Sequence, residues 1–587
     1  MRVDAKVEGP RQSMSWLHTW ASLILGWLLY AIFLTGTLSF FQSEISVWMK
    51  PETHQSVPSH SQIEQTQVAL DYLQKHYPDA GSWMIQLPNS RQTTTELNIR
   101  KQGEDLQARR GGERITIDSA TGQVIEARET RGGGFLYRFH FELYGLDRIW
   151  ARWIVGLATM LMLVAIISGI ITHKKIFKDF FTFRSGKGQR SWLDAHNATA
   201  VFALPFHIII TFSGLLLLMF TLMPWGINQV YESRQQFLQD QRGGTTQQST
   251  ARQATTQKTA NQESNIPKDN AIGEKAERQQ SRENSERPRG ERRGKHEQKQ
   301  SHPAPLTDLK PIIAAVQSEW KDNPIASIQI LAPNTSNATI ELRALYTDSV
   351  VKRGSYSSLK FDGVTGQAIN DQANTFNNPS IPMGIYNVVT VLHEARGVDL
   401  AIRWLLFFSG IMGTLMVATG LILWCVKRAP QQQKQGYKSF GYRLVEVTNI
   451  TAIIGLPIAC AAYFYANRLI PADLEMRLNW EIRVFFIIWL ISFIYAWLRP
   501  HRQAWLELLL VATVAYTLLP IVNFMTGGQA LWNSIANGQW MIASFDLMAW
   551  VLALLCFFSF YKVKKHQGLS PKKNKRVMNT ANKEIEA

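Results

Sequence analysis

Cysteine is nearly missing from this chain of 587 residues. The three present, Cys425, Cys460 and Cys556, stand singly and form no CxxC pair. That excludes a disulfide framework and a cysteine-based zinc site. No G-x-G-x-x-G follows a strand-like run, so a flavin or nicotinamide domain is not expected within the chain. Acidic residues are in deficit: 62 Lys and Arg against 45 Asp and Glu leave a net charge of +17. The excess does not call for nucleic acid, because short loops between apolar runs and one long polar insert hold much of it. The first apolar run, residues 16–41, lacks an A-x-A cleavage site and is long for a signal peptide, so it reads as an uncleaved anchor.

What the chain has instead is apolar length. Hydrophobic residues make up 46% of it, with 19 Trp, and the mean hydropathy of -0.11 averages very apolar stretches with very polar ones. About eight runs are long enough to cross the roughly 30 Å hydrocarbon core of a bilayer as helices. The fold expected is a polytopic α-helical membrane protein in a lipid bilayer, with about eight transmembrane helices. Residues 1–41 make a cytoplasmic N-terminus and first span, 148–172 the second span, 195–224 the third and 399–425 the fourth. A polar region, 42–147, lies between the first two. A second comprises 225–303, which contains a linker, and a compact part at 304–398. Basic loops occupy 173–194 and 426–442, residues 443–562 form a four-helix membrane extension, and 563–587 a basic tail. Lys and Arg crowd the ends of spans two, four, six and eight, which places those ends and both termini in the cytoplasm. Both polar regions are then external, which means periplasmic in a bacterium with two membranes. Residues 234–303 carry almost no apolar side chains and are expected to be disordered.

The first 425 residues read as two copies of one unit. IDSATGQVI at Ile117–Ile125 has a counterpart in FDGVTGQAI at Phe361–Ile369. A helical stretch and alternating, strand-like residues precede each, so each copy carries a small external α+β domain. SWLHTW at Ser15–Trp20 matches SWLDAH at Ser191–His196, and setting His18 against His196 also sets Gly36 against Gly214. His140 with Arg152 and Trp153 answers to His393 with Arg403 and Trp404.

Histidine demands the explanation. The stretch 191–220 reads as one apolar helix, yet it carries His196 and His207. Eleven residues return a helix to within about 20° of its starting face, some ~16 Å further along, so both rings point the same way. Imidazole at membrane depth is costly unless something binds it. The options are ligation of an iron porphyrin, a proton relay, or a packed and satisfied ring. On the expected topology His18, His173 and His196 fall at cytoplasmic span ends, with His207 deeper. His140 and His393 precede the external ends of spans two and four. A two-fold arrangement brings His140 and His393 to opposite sides of one cavity, as a bis-histidine haem requires. A second haem could draw its ligands from His18, His173, His196 and His207. Arg138 and Arg396, close to the outer histidines, are candidates to pair with propionates. His54, His60 and His76 are expected to be solvated, His296 and His302 to belong to the linker, and His501 and His566 to need no role beyond charge. Spans five to eight have no central histidine, and Glu446, Glu481, Arg483 and Asp546 are expected to snorkel from span ends.

The TGQVI and TGQAI motifs, each after a helix and strands, resemble PepSY domains. With SWLDAHN…LPFH following the loop HKKIFKDFFTFR, residues 11–430 are similar to the PepSY-associated transmembrane family, while the last four spans lie outside the resemblance. It implies an iron-regulated protein of the bacterial inner membrane, and relatives include siderophore-iron reductases that carry b-type haem. Two b haems would then be ligated by histidines among His18, His140, His173, His196, His207 and His393. Electrons would come from quinol or a cytoplasmic donor and pass to a ferric siderophore or other ferric chelate outside. The alternative is a non-enzymatic PepSY membrane protein that binds or regulates a periplasmic peptidase or another partner.

Reporters test the topology. A fusion after Lys427 or Lys562 is expected to read cytoplasmic and one inserted within 247–299 external; the reverse at either kind of site would overturn the span count.

Overall fold

A computed structural model describes residues 9–566 except 59–60, 105–110, 174–176, 178–181, 233–235, 237–301, 348, 353–355, 370–378 and 380. Most of the linker, with His60, His296 and most of the tail, lies outside the described residues. The first copy of the repeat runs α1 (Pro10–Ile24), α2 (Gly26–Ser39), α3 (Gln42–Trp48), α4 (Gln62–His76), β1 (Ser82–Gln86), β2 (Thr95–Arg100), β3 (Glu113–Ile117), α5 (Gly133–Glu142) and α6 (Arg148–Thr172). The second runs α7 (Gln189–Phe202), α8 (Leu204–Leu222), α9 (Leu309–Trp320), β4 (Ile325–Leu331), β5 (Thr339–Thr347), β6 (Tyr356–Asp362), α10 (Ile381–Glu394) and α11 (Leu400–Gln435). The extension is α12 (Phe440–Ile450), α13 (Leu456–Leu469), α14 (Arg477–Leu498), α15 (His501–Met525) and α16 (Trp540–Lys565).

Among the described residues seven helices are long and apolar enough to cross a membrane, or eight when a bent pair is taken as one span. That pair is α1 and α2, which meet at 64° where the sequence reads as one continuous run. Leu25 leaves the helix there, with φ -115° and ψ 10°. The stretch 191–220 is interrupted too, at Ala203 between α7 and α8, with φ -107° and ψ 22°. Pro205 sits in the first turn of α8, where its missing N–H costs nothing, whereas in an unbroken helix its ring would meet the carbonyl four residues back. Setting His18 against His196 also sets Leu25 against Ala203, so the break belongs to the repeat.

Outside the helical bundle the two expected α+β units fuse into one antiparallel sheet of six strands, ordered β3-β2-β1-β4-β5-β6. The seam is β1 against β4, with Ser82 opposite Leu331 and Met84 opposite Gln329. Alternation sends Trp83, Ile85, Leu97 and Ile99 inward with Ile328, Ile330, Ile340 and Leu342. There they meet Leu70 and Leu73 of α4 and Ile312, Ile313 and Val316 of α9 in one core. The TGQ motifs are turns. Asp118 Oδ1 accepts from the backbone N–H groups of Ala120 and Thr121 and from the Thr121 hydroxyl. Asp362 Oδ1 accepts likewise from Val364 and Thr365. Gly122 and Gly366 take the positive φ, 73° and 70°, that follows.

The extension grips the first copy through buried polar contacts. Pro457 opens α12–α13 into a π turn at Thr451–Gly455, and the carbonyl of Ile453, four residues before it, accepts instead from the Tyr30 hydroxyl of α2 at 3.1 Å. The Trp48 indole donates to Asp546 at 2.8 Å, the Thr130 hydroxyl to Glu481 at 2.8 Å, and Arg128 to the carbonyl of Asn467 at 2.7 Å. The expectation of snorkelling acids is therefore corrected. Glu481 and Asp546 are fully buried and Glu446 nearly so, because Arg477 and Asn467 pair with Glu481, Asn523 donates to Asp546 and Lys438 pairs with Glu446. In lipid such groups persist only with partners. Arg483 stays exposed, lying over Trp480.

His54 is also corrected: it is fully buried rather than solvated. Its Nδ1 accepts from the backbone N–H of Gln529 at 3.1 Å and its Nε2 donates to the carbonyl of Val47 at 3.0 Å. Burial, aided by the nearby Arg468 charge, pushes this imidazole down to about 3 from 6.5. The stability it contributes is thus present above pH 6.5 and lost as pH falls toward 3, when the ring must charge in the folded state. Protection of the Gln529 amide, its exchange rate set against the intrinsic rate at each pH, is expected to fall over that window in the wild type and to show no such pH step in His54→Phe.

Candidate functional site

Four histidines stand in two couples at different depths. The outer couple is His140, near the end of α5, and His393, near the end of α10, with ring centres 6.0 Å apart. The inner couple is His18 of α1 and His196 of α7, with centres 6.2 Å apart. The repeat therefore supplies one member of each couple from each copy.

The way each ring is held explains its chemistry. His140 Nδ1 donates to the carbonyl of Ile32 at 2.7 Å, His18 Nδ1 to that of Ala165 at 2.8 Å, and His196 Nδ1 to that of Met416 at 2.9 Å. In an α-helix the side chain of residue i+4 projects back over the carbonyl of residue i. In all three cases residue i+4 is glycine: Gly36, Gly169 and Gly420. A Cβ on Gly36 would come within 2.6 Å of His140, and one on Gly169 or Gly420 within 3.2 Å of His18 or His196. The fourth case is a variant of the same device. Gly214 lies against His393, with 3.5 Å to a Cβ, and the Ser213 hydroxyl, which donates to Ile209 at 2.6 Å, receives His393 Nδ1 at 2.7 Å.

A carbonyl can only accept, so these bonds fix the proton on Nδ1 and leave the lone pair on Nε2, the form of imidazole that binds a metal. Imidazole nitrogens sit about 2.0 Å from a first-row metal, so two rings trans across one ion have centres ~6 Å apart. Among the described residues no group of three or more His, Cys, Asp or Glu could hold a bare ion. A couple offers two nitrogen donors, so a metal held there would need its other donors from a chelator. An iron porphyrin fits that requirement, and the glycines leave the rings room beside it.

The inner couple opens onto a cavity of about 270 Å³ lined by α1, α2, α6, α7, α8 and α11. Its deep wall is apolar, with Leu29, Met162 and Val417, and its mouth polar, with His173, Asn197, Lys427 and Arg428. All four inner candidates line it, but only His18 and His196 face each other as a couple. His207 is fully buried on the wall, edge-on to Phe33 at 6.3 Å, and among the described residues neither ring nitrogen has a hydrogen-bond partner of normal geometry. His173 caps α6, and its Nε2 accepts from Asn197 at 3.1 Å. Arg138 is exposed, and Arg396 is held by the Tyr137 hydroxyl at 3.2 Å beside α5. The glycine platforms escaped the sequence reading, although Gly169 and Gly420 stand equally far from Arg152 and Arg403 and could have been found by that spacing. Ser213 gave no signal of its own.

A family model described as the PepSY-associated TM region matches residues 15–427. No curated protein matches the chain.

The platforms make a stability prediction. Gly36→Ala must push His140 aside and should cost about 1–3 kcal/mol. Gly214→Ala has room for its methyl and gains helix propensity, so it should be neutral or stabilising by up to ~1 kcal/mol. Unfolding of the purified variants, followed by tryptophan fluorescence, would show the two costs to be equal if the platform idea is wrong.

Proposed function

The chain belongs to the PepSY-associated transmembrane family, and from that premise we propose that it is a haem-containing reductase of the bacterial inner membrane. On this reading it carries electrons from quinol or a cytoplasmic donor to ferric iron on the periplasmic side, with both termini in the cytoplasm. The acceptor is a ferric chelate, a siderophore first among them. The observation that carries the reading is the two histidine couples at 6.0 and 6.2 Å, their rings set in the metal-binding tautomer over glycines.

A b haem in each couple would supply a one-electron centre at each of two depths. The residues do the rest. His18 with His196, and His140 with His393, would hold the iron through Nε2. The carbonyls of Ala165, Met416 and Ile32 and the hydroxyl of Ser213 orient the rings and raise their basicity. Leu29, Met162 and Val417 keep water from the inner wall. Arg138 and Arg396, each close in sequence to an outer histidine, would meet carboxylate charge there. The acceptor chemistry follows from ligand hardness: oxygen donors hold Fe(III) far more tightly than Fe(II), so one electron per iron releases the metal from its chelator.

Alanine variants test the ligand assignment. His18→Ala and His196→Ala are each expected to remove one haem spectral component, and His140→Ala and His393→Ala the other. The second change within a couple should add little, because both residues share one ion. His173→Ala and His207→Ala should keep both components. Reduction of an external ferric chelate should fall at least tenfold in all four ligand variants. If the histidines only pack, as in a partner-binding protein, each change would lower stability independently and the purified wild type would carry no Soret band.

A further inference from the structure

The inner cavity holds a second repeat-related pair that the ligand assignment does not use. One helical turn beyond Gly169 on α6 lies His173, and one turn beyond Gly420 on α11 lies Trp424. Each therefore shares a helix face with the glycine on which a ligand ring rests. Both line the cavity mouth, and both present a buried ring nitrogen, His173 Nδ1 and Trp424 Nε1, that has no partner among the described residues. Because Asn197 donates to His173 Nε2, the neutral ring carries its proton on Nδ1, so both atoms are N–H donors. Arg428 lies over the Trp424 ring at 4.0 Å and lines the same mouth with Lys427. At the outer couple the residues one turn beyond the glycines are Phe40 and Leu218, both buried and apolar. The paired donors thus belong to the inner site alone.

Two donors related by a two-fold axis suit a ligand edge bearing two equivalent acceptors. We infer that the inner cavity takes its porphyrin in one orientation, both carboxylates toward the mouth, one accepting from His173 and the other from Trp424. Arg428 and Lys427 supply the opposing charge. The inference rests on the haem reading and adds to it the direction of the cofactor and two positioning residues outside its ligand set. The apolar deep wall and the polar mouth match the two ends of such a porphyrin.

The test is a titration of full-length protein in membranes from a haem-deficient host, with haem b and with its dimethyl ester, whose carboxylates are capped. The signal is the spectral component that His18→Ala abolishes. Hydrogen bonds to a charged acceptor predict that Trp424→Phe and His173→Phe each weaken haem binding about tenfold or more. Both should change binding of the ester less than ~twofold, since that ligand lacks the charge the donors answer to. His173→Gln, which keeps an N–H, should recover part of the loss. Equal losses for both porphyrins would make the residues mere packing and overturn the inference. So would no loss for either, or variants that keep both porphyrins and lose only a hydroquinone analogue. Should one variant fail to accumulate, the same comparison in the other decides. A wild type that binds neither porphyrin would instead sink the haem reading itself.

Discussion

A backbone carbonyl in a helix has two lone pairs, and the ladder uses one. The other is normally hidden under the side chain one turn further on. Four helices of this bundle lay a glycine at that position, and the uncovered carbonyl, or in one case a serine hydroxyl bonded one turn back, takes the Nδ1 proton of a histidine from another helix. In the hydrocarbon region no water competes for that bond. Everything distinctive about the site follows: the rings cannot rotate, the tautomer is fixed, and the helices carrying histidine and glycine must approach closely. The bends at Leu25 and Ala203 serve the same end, since each lies between a histidine of the inner couple and a glycine of the outer one.

The repeat explains why there are two couples, and its departures show where they differ. His207 stands where the first copy has Leu29, and both line the inner cavity. The hydroxyl of Ser213 stands in for a direct bond to the carbonyl, as His140 makes to Ile32. The extension docks on the first copy through Trp48, Thr130, Arg128 and His54, and on the second at α11, through Asn449 and Tyr442. A pseudo-symmetric site thereby acquires two unlike faces.

Most of the architecture could be read from residues alone because it rests on long signals: span-length apolar runs, the TGQ turns, and histidines recurring at repeat-related positions. Features that depend on distant partners were not legible. His54 sits in a polar segment and looks solvated until Gln529, far along the chain, closes over it. Glu481 and Asp546 look like span-end charges because Thr130 and Trp48, which bury them, come from another unit. Ala203 had a proline two residues on to announce its break, whereas Leu25 is followed by Gly26 and Trp27, with no breaker as strong. Four histidines could be placed in one inner layer, but composition could not say which two face each other, because that choice is made by the glycines of α6 and α11.

The seam between β1 and β4 has an evolutionary sense. Antiparallel edges meeting about a two-fold axis are what two identical chains make when they pair through the same strand, an isologous contact. The fused protein keeps that contact inside one polypeptide, and each histidine couple draws one ring from either side of it. A single ancestral unit would thus have been incomplete alone and whole as a dimer, and gene fusion would have required no new interface. By the same logic the two copies have no need of a covalent tie: translated as separate polypeptides, they would still share one sheet and complete each other's histidine couples.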